Sequence, residues 1–230
     1  MAAPTIIRSV GSGTTGTTIT LSTLLVDGTN TLLMLTPGCG ANTTRDIVTV
    51  THNGDACTEL AASAGAIFIK SELWYRIAPD AGTFDIVFTK DGATGGDVIA
   101  GGATLLNGVH QSDTFGTPTT AEAATTANTI DVASTTNQVV ISSTATDDET
   151  GITAGDTQLW NSGIINSDCS FGGMSQVGAA TVTMNWTQDI TGWSSCGVGI
   201  KGLNDDPTPP HVKFRNSGLR PYPFCPGHAR

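Results

Sequence analysis

The sequence predicts an all-β, antiparallel β-sandwich followed by an extended C-terminal arm. Three observations carry this expectation. Apolar residues recur with a period of two in short runs over the first two hundred residues. Turn signals rich in glycine and aspartate separate the runs: "VDGTN", "HNGD", "PDAGT", "KDGATGGD" and "TDDETG". The end, "HVKFRNSGLRPYPFCPGHAR", shows neither a strand nor a helix period and is studded with proline.

The strand candidates are, in order, "DIVTVTHN", "AIFIKSELWYRIAP", "FDIVFTK", "TIDVAS", "NQVVISSTAT", "ATVTMNWT" and "SSCGVGIK". The second is the longest. Ile67, Ile69, Leu73, Tyr75 and Ile77 fall on one face, which is expected to enter the core. Phe68, Lys70, Glu72, Trp74 and Arg76 fall on the other, which mixes aromatics with charge and suits either a partner surface or a tryptophan lying under a loop. In "ATVTMNWT" Val182, Met184 and Trp186 form the core face, and Thr181, Thr183 and Asn185 the outer one. In "SSCGVGIK" Cys196, Val198 and Ile200 share a face. No helical period of useful length occurs, and "TELAASAGA" is the one stretch expected to form a turn or two of helix.

"NDDPTPP" marks the boundary, because proline lacks the N–H that a sheet ladder needs. One β-sandwich domain is therefore expected over 1–204 and a basic, proline-rich arm over 205–230, with no internal repeat. Charge divides at the same place. The net charge is −10. Residues 1–206 hold 20 acids against Arg8, Arg45, Lys70, Arg76, Lys90 and Lys201, whereas the residues beyond hold no acid and the four bases Lys213, Arg215, Arg220 and Arg230. An acidic body is repelled by nucleic acid and by anionic membranes, so neither is expected as a partner. No apolar stretch is long enough to span a bilayer. "MAAPTIIRSVGSG" lacks the basic and apolar regions of a secretory leader.

Motifs that carry chemistry are sparse. "GSGTTG" matches the dinucleotide pattern G-x-G-x-x-G but precedes the strand-like "TTITLS" instead of a helix, so it is expected to be a turn. His52, His110, His211 and His228 show no metal-ligand or catalytic spacing, and His52 and His110 are expected in loops. Asp147, Asp148, Glu149 and Asp156 lack the order of a calcium loop and read as a solvated turn. No cofactor or metal is implied. Cys39, Cys57, Cys169, Cys196 and Cys225 fit no zinc pattern and are expected to be small buried thiols, with Cys39–Cys57 and Cys169–Cys196 the conceivable disulfides outside a cell. Trp160 and Trp193 sit at strand ends or turns and are the candidate platforms for stacking a sugar.

"SELWYRIAPDAGTFDIVFT", "GGATLLNGVHQSDTFGTPTTA", "QLWNSG" and "ATVTMNWTQDITGWSSCGVGIKG" together resemble a jelly-roll-like β-sandwich module of tailed-bacteriophage virion proteins and bacterial surface proteins, over most of residues 20–203. The end "GLRPYPFCPGHAR" resembles the tails of some phage structural proteins. The resemblance implies a fold and no catalytic residue. It implies a non-enzymatic structural protein of a virion, most simply a capsid decoration, cement or spike protein assembled in the host cytoplasm and released by lysis. Its partners would be the major capsid protein or neighbouring copies in a homo-oligomer. They would be held through Phe214, Arg215, Arg220, Tyr222, Phe224 and Arg230 of the arm, since extended arms that add to a neighbour are a common recognition mode. The alternative is a carbohydrate- or receptor-binding module of a phage fibre or surface protein that meets a host glycan at Trp160 or Trp193; a glycan hydrolase is a third reading.

Overall fold

The computed structural model describes residues 2–40, 45–65, 68–92, 96–147, 151–166, 169–189 and 192–203. Among these residues there is no helix, and the sequence folds as the period-two pattern predicts. The first half holds eleven strands: β1 (Thr5–Thr15), β2 (Thr18–Leu21), β3 (Leu25–Val26), β4 (Leu32–Gly40), β5 (Ile47–His52), β6 (Asp55–Ala56), β7 (Thr58–Ala62), β8 (Ile69–Ile77), β9 (Gly82–Thr83), β10 (Ile86–Lys90) and β11 (Val98–Asn107). The second half holds eight: β12 (Thr119–Ala123), β13 (Asn128–Ala133), β14 (Gln138–Thr146), β15 (Thr153–Ala154), β16 (Thr157–Ile165), β17 (Cys169–Val177), β18 (Thr181–Thr187) and β19 (Trp193–Lys201). The short helix expected in "TELAASAGA" is instead β7, an edge strand paired with β8.

The two halves repeat one topology. The first has a five-stranded sheet of order β1-β11-β4-β8-β7 and a smaller sheet β2-β10-β5-β6; the second has β12-β19-β14-β17-β16 and β13-β18-β15. In each half the first long strand pairs with the last, the second with the last but one, and the third with the last but two. That is a long antiparallel ribbon rolled onto itself, the jelly-roll arrangement. The registers correspond as well. Leu106 faces Leu32 and Tyr75 faces Met34 in the first half; Ile200 faces Val139 and Ser175 faces Ile141 in the second. The sequence reading found no internal repeat, so the duplication corrects it.

The two large sheets lie face to face, and each smaller sheet covers the outside of its partner. Four β layers result. β4 meets β14, β8 meets both β14 and β19, and β1 meets β16. Their counterparts also meet: β17 with β4, β17 with β11, and β7 with β12. The halves are therefore related by a pseudo-twofold axis near β4 and β14, the self-complementary geometry of an isologous dimer built into one chain.

Sheets buried on both faces explain why strict alternation fades in the central strands. β4, β14 and nearly all of β11 and β19 are buried at every position. In β8 Leu73 points toward the second half, with Tyr75 and Ile77 packed partly buried beside it, while Trp74 enters the core under the small sheet with Leu35, Val50 and Cys57. On the face of β8 expected to be a partner surface or to lie under a loop, Glu72 and Trp74 are therefore buried, Lys70 and Arg76 are half-buried, and Phe68 is exposed. Outer strand β18 keeps the predicted alternation, with Val182, Met184 and Trp186 buried and Thr181, Thr183, Asn185 and Thr187 exposed.

Candidate functional site

Strand directions give the stack two distinct poles. Thr5, Leu32, Ile77, Asn107, Val177 and Lys201 lie at one, and Thr15, Gly40, Ile69, Val98, Cys169 and Trp193 at the other. The first, proximal pole holds residue 2, the crossing between halves and residue 203. The crossing is pinned there by Val109 N–H donating to Asn30 (3.0 Å), His110 N–H to Lys201 (3.0 Å) and Leu203 N–H to Gly108 (3.1 Å). Turns that join small sheet to large sheet lie at both poles, those from β1 to β2, β4 to β5 and β10 to β11 at the distal one.

The proximal pole combines apolar exposure with acid. Of the seven exposed large apolar side chains among the described residues, Ile7, Leu25, Val177 and Leu203 lie there, Val177 being 71% exposed. Ile7 is the extra residue of a β-bulge between Ile6 and Arg8, which turns it outward. A cleft of about 240 Å³ opens between Ala2, Ala3, Thr5, Asn107, Gly108 and Leu203. Asp27, Asp55, Asp80, Asp85, Asp113 and Asp156 belong to the turns and strand ends of this pole. Its cations are already engaged: Arg8 with Asp27 at 2.5 Å, Arg76 with Asp55 at 2.7 Å, and Lys201 with Asp113 at 2.7 Å. Hydrogen bonds from Arg8 and Lys201 hold the Asp27 and Asp113 carboxyls below their usual range.

The distal half of the first sandwich carries buried ions. Lys90 is fully buried against Asp97 at 3.0 Å, and Arg45 joins the same carboxylate at 3.0 Å. Lys70 pairs with Asp46. Glu72 is buried and accepts from Trp74 Nε1 (2.7 Å) and Ile47 N–H (3.1 Å); burial still pushes its carboxyl up. The second sandwich fills the equivalent region with a neutral network, in which Asn128 donates to Thr144 (2.9 Å) and Gln188 (3.1 Å) and accepts from Ser195 (2.9 Å). Both sets satisfy buried polar groups and so fix the turns above them. All six cations of the described body are in ion pairs.

Both tryptophans proposed as sugar platforms are buried, which corrects that expectation. Trp160 lies between the halves. Its Nε1 donates to Thr36 Oγ1 at 2.8 Å, and its indole rests on Gly11, Gly102 and Gly173. Trp193 is buried at the start of β19, with Nε1 3.4 Å from Thr125 Oγ1. The partner-binding residues Phe214, Arg215, Arg220, Tyr222, Phe224 and Arg230 lie outside the described residues. His52 is not in a loop: it ends β5, fully buried, edge-on to Phe84 at 5.6 Å, with neither ring nitrogen hydrogen-bonded. Burial, and then the charge of Arg76, push its pKa down. Cys39, Cys57, Cys169 and Cys196 are free buried thiols, so neither conceivable disulfide forms. Burial raises all three thiols whose shift is resolved, Cys57 to about 11 and Cys196 to about 12, with Cys39 higher still.

No protein-family model, curated protein or solved structure matches the chain. The geometry alone therefore defines the site, and it singles out one feature that the sequence reading passed over and one that it had placed only on the mixed face of β8. One is the acidic, apolar pole, assembled from turns far apart in sequence. The other is Phe68 at the distal pole, 53% exposed and held at φ 64°. A positive φ is uncommon for an aromatic residue, and such strain concentrates at binding surfaces. The signal for Phe68 was present in its position beyond the glycine of "SAGAIF", where the chain has to turn into β8.

Proposed function

We propose that this chain is a non-enzymatic structural protein of a tailed-bacteriophage particle, a capsid decoration, cement or spike protein anchored by its C-terminal arm. One observation carries the reading: the body is polar in build. Residue 2, the crossing between the halves and Leu203 all lie at one pole, so the arm continues from the end that also holds the start of the body, while the opposite pole carries turns between strands alone. A protrusion attached at one end and free at the other needs that layout. Charge supports it. Residues 207–230 hold four bases and no acid, and the body's cations are already paired, so the bases of the arm suit the carboxylates of another surface. Four β layers that bury both central sheets supply a rigid body for such a role.

The test is immunogold labelling of particles from the native source with antibody to the body. Gold on particle shells or tails is the expected outcome. Label confined to the soluble fraction rejects the reading.

Phe68 favours a second reading, a receptor- or glycan-binding module that uses the distal loops. Phe68→Ala abolishing adhesion to host cells, with folding intact, would establish that reading.

A further inference from the structure

We propose that the proximal pole is a self-association surface, on which the arm of one copy lies across the pole of a second copy of this chain. The proposal rests on the reading of the arm as an attachment segment and names what it attaches to. Tyr222 of the arm enters the cleft of about 240 Å³ between Ala2, Thr5, Asn107 and Gly108, and Phe214 and Phe224 lie on the exposed apolar side chains around it. The arm arginines meet the carboxylates around that cleft.

The complementarity is chemical on both sides. The pole offers six carboxylates and three cations, each cation already tied to one of those carboxylates, so it presents a surplus of acid. Asp27, Asp55, Asp80 and Asp113 keep at least half of their side chains in solvent even while paired. Residues 207–230 of the arm offer four bases and no acid. Exposed Ile7, Leu25, Val177 and Leu203 supply the apolar part of the surface, and the arm's aromatics supply its counterpart. Arginine and tyrosine are the residues that dominate interface energetics.

Reach and stiffness select a second copy over the same one. Residues 204–230 span up to about 80 Å when extended at ~3.1 Å per residue. Leu203 itself lines the cleft, so an arm docking on its own pole has to double back within the ten residues that precede Phe214. Pro207, Pro209 and Pro210 oppose that reversal, because proline fixes φ and holds its preceding residue extended. An arm projecting from one pole finds the matching pole of a neighbour.

The test uses the full chain with a photo-crosslinker in Thr5→p-benzoylphenylalanine, an exposed position in the cleft. Light and heavy isotope-labelled copies are mixed in equal amounts, irradiated and digested. Crosslinks from position 5 to arm peptides are expected, about half of them joining light to heavy chains as random pairing requires. Leu203→Asp is expected to weaken self-association at least tenfold by sedimentation velocity. Crosslinks confined within single chains, or none to residues 204–230, overturn the proposal. The two readings fail separately: native particles that carry the chain without such crosslinks leave only the virion reading, and mixed-isotope crosslinks without particle association leave only self-association.

Discussion

Trp160 Nε1 donates to Thr36 Oγ1 across 2.8 Å, and this bond joins the two halves of the molecule. The donor sits on β16 of the second sandwich and the acceptor on β4 of the first. Gly11, Gly102 and Gly173 exist as glycine here because the indole lies where their Cβ atoms would be; a Cβ at Gly102 would come 1.9 Å from Trp160 Nε1. Trp160→Ala is expected to cost ~3–5 kcal/mol, read by urea denaturation. Gly102→Ala is expected to cost ~1–3 kcal/mol through overpacking. A Trp160→Ala protein as stable as the parent would contradict the packing of the halves.

Trp186 seals the outer layer of the second sandwich with Val182 and Met184. Trp186→Ala is expected to cost ~3–5 kcal/mol. A loss below about 1 kcal/mol would mean that this strand presents its other face to the core.

His52 makes stability depend on pH. Its folded pKa is depressed, so the unfolded chain binds the proton more readily. The stabilisation is complete above the unfolded pKa of ~6.5 and is lost as pH falls below it, by up to ~1.4 kcal/mol per pH unit until the folded pKa is reached. His52→Phe is expected to remove this loss between pH 7 and 5 in thermal melts. The Asp27 and Asp113 carboxyls are depressed instead, so their contribution persists to lower pH and fades only below the unfolded value of ~3.9. An unchanged slope between pH 7 and 5 in His52→Phe would assign the acid sensitivity elsewhere.

The four described cysteines are buried, and each thiol with a resolved shift is held protonated at neutral pH. Only the thiolate reacts. Native protein is expected to leave Cys39, Cys57, Cys169 and Cys196 unmodified by a thiol reagent, and denatured protein to expose all of them. Mass spectrometry of the labelled peptides checks this. Rapid native labelling of Cys196 would contradict its place between the sheets.

The all-β class was legible because outer strands such as β18 keep one face wet, and alternation survives there. It was not legible in β8, where Trp74 and Leu73 point to opposite faces and both are core. A residue covered by a second layer leaves no polar partner in the pattern. The duplication was hidden for a related reason. "TNTLLML" and "TNQVVIS" occupy matching places in β4 and β14, yet Leu105 and Phe88 correspond to Gly199 and Met184. Cores conserve total volume and polarity more than identity, so two copies drift apart in sequence while keeping one topology. Trp160 was misread because its turn-like neighbours Asn161, Ser162 and Gly163 belong to an irregular edge strand, β16, whose bulges fold the ring inward. The proximal pole joins turns from both halves, and no local pattern could announce it.

Attachment through the arm is tested most directly by comparing the full chain with a version ending at residue 204. Both are expected to melt within a few degrees of each other, a difference of ~1 kcal/mol or less, because the prolines keep the arm out of central strand positions. Only the full chain is expected to be incorporated into native particles, and its binding is expected to weaken as salt rises, since exposed charges are screened over ~10 Å at 0.1 M. Truncated protein that occupies particles as fully as the intact chain would contradict the role given to the arm.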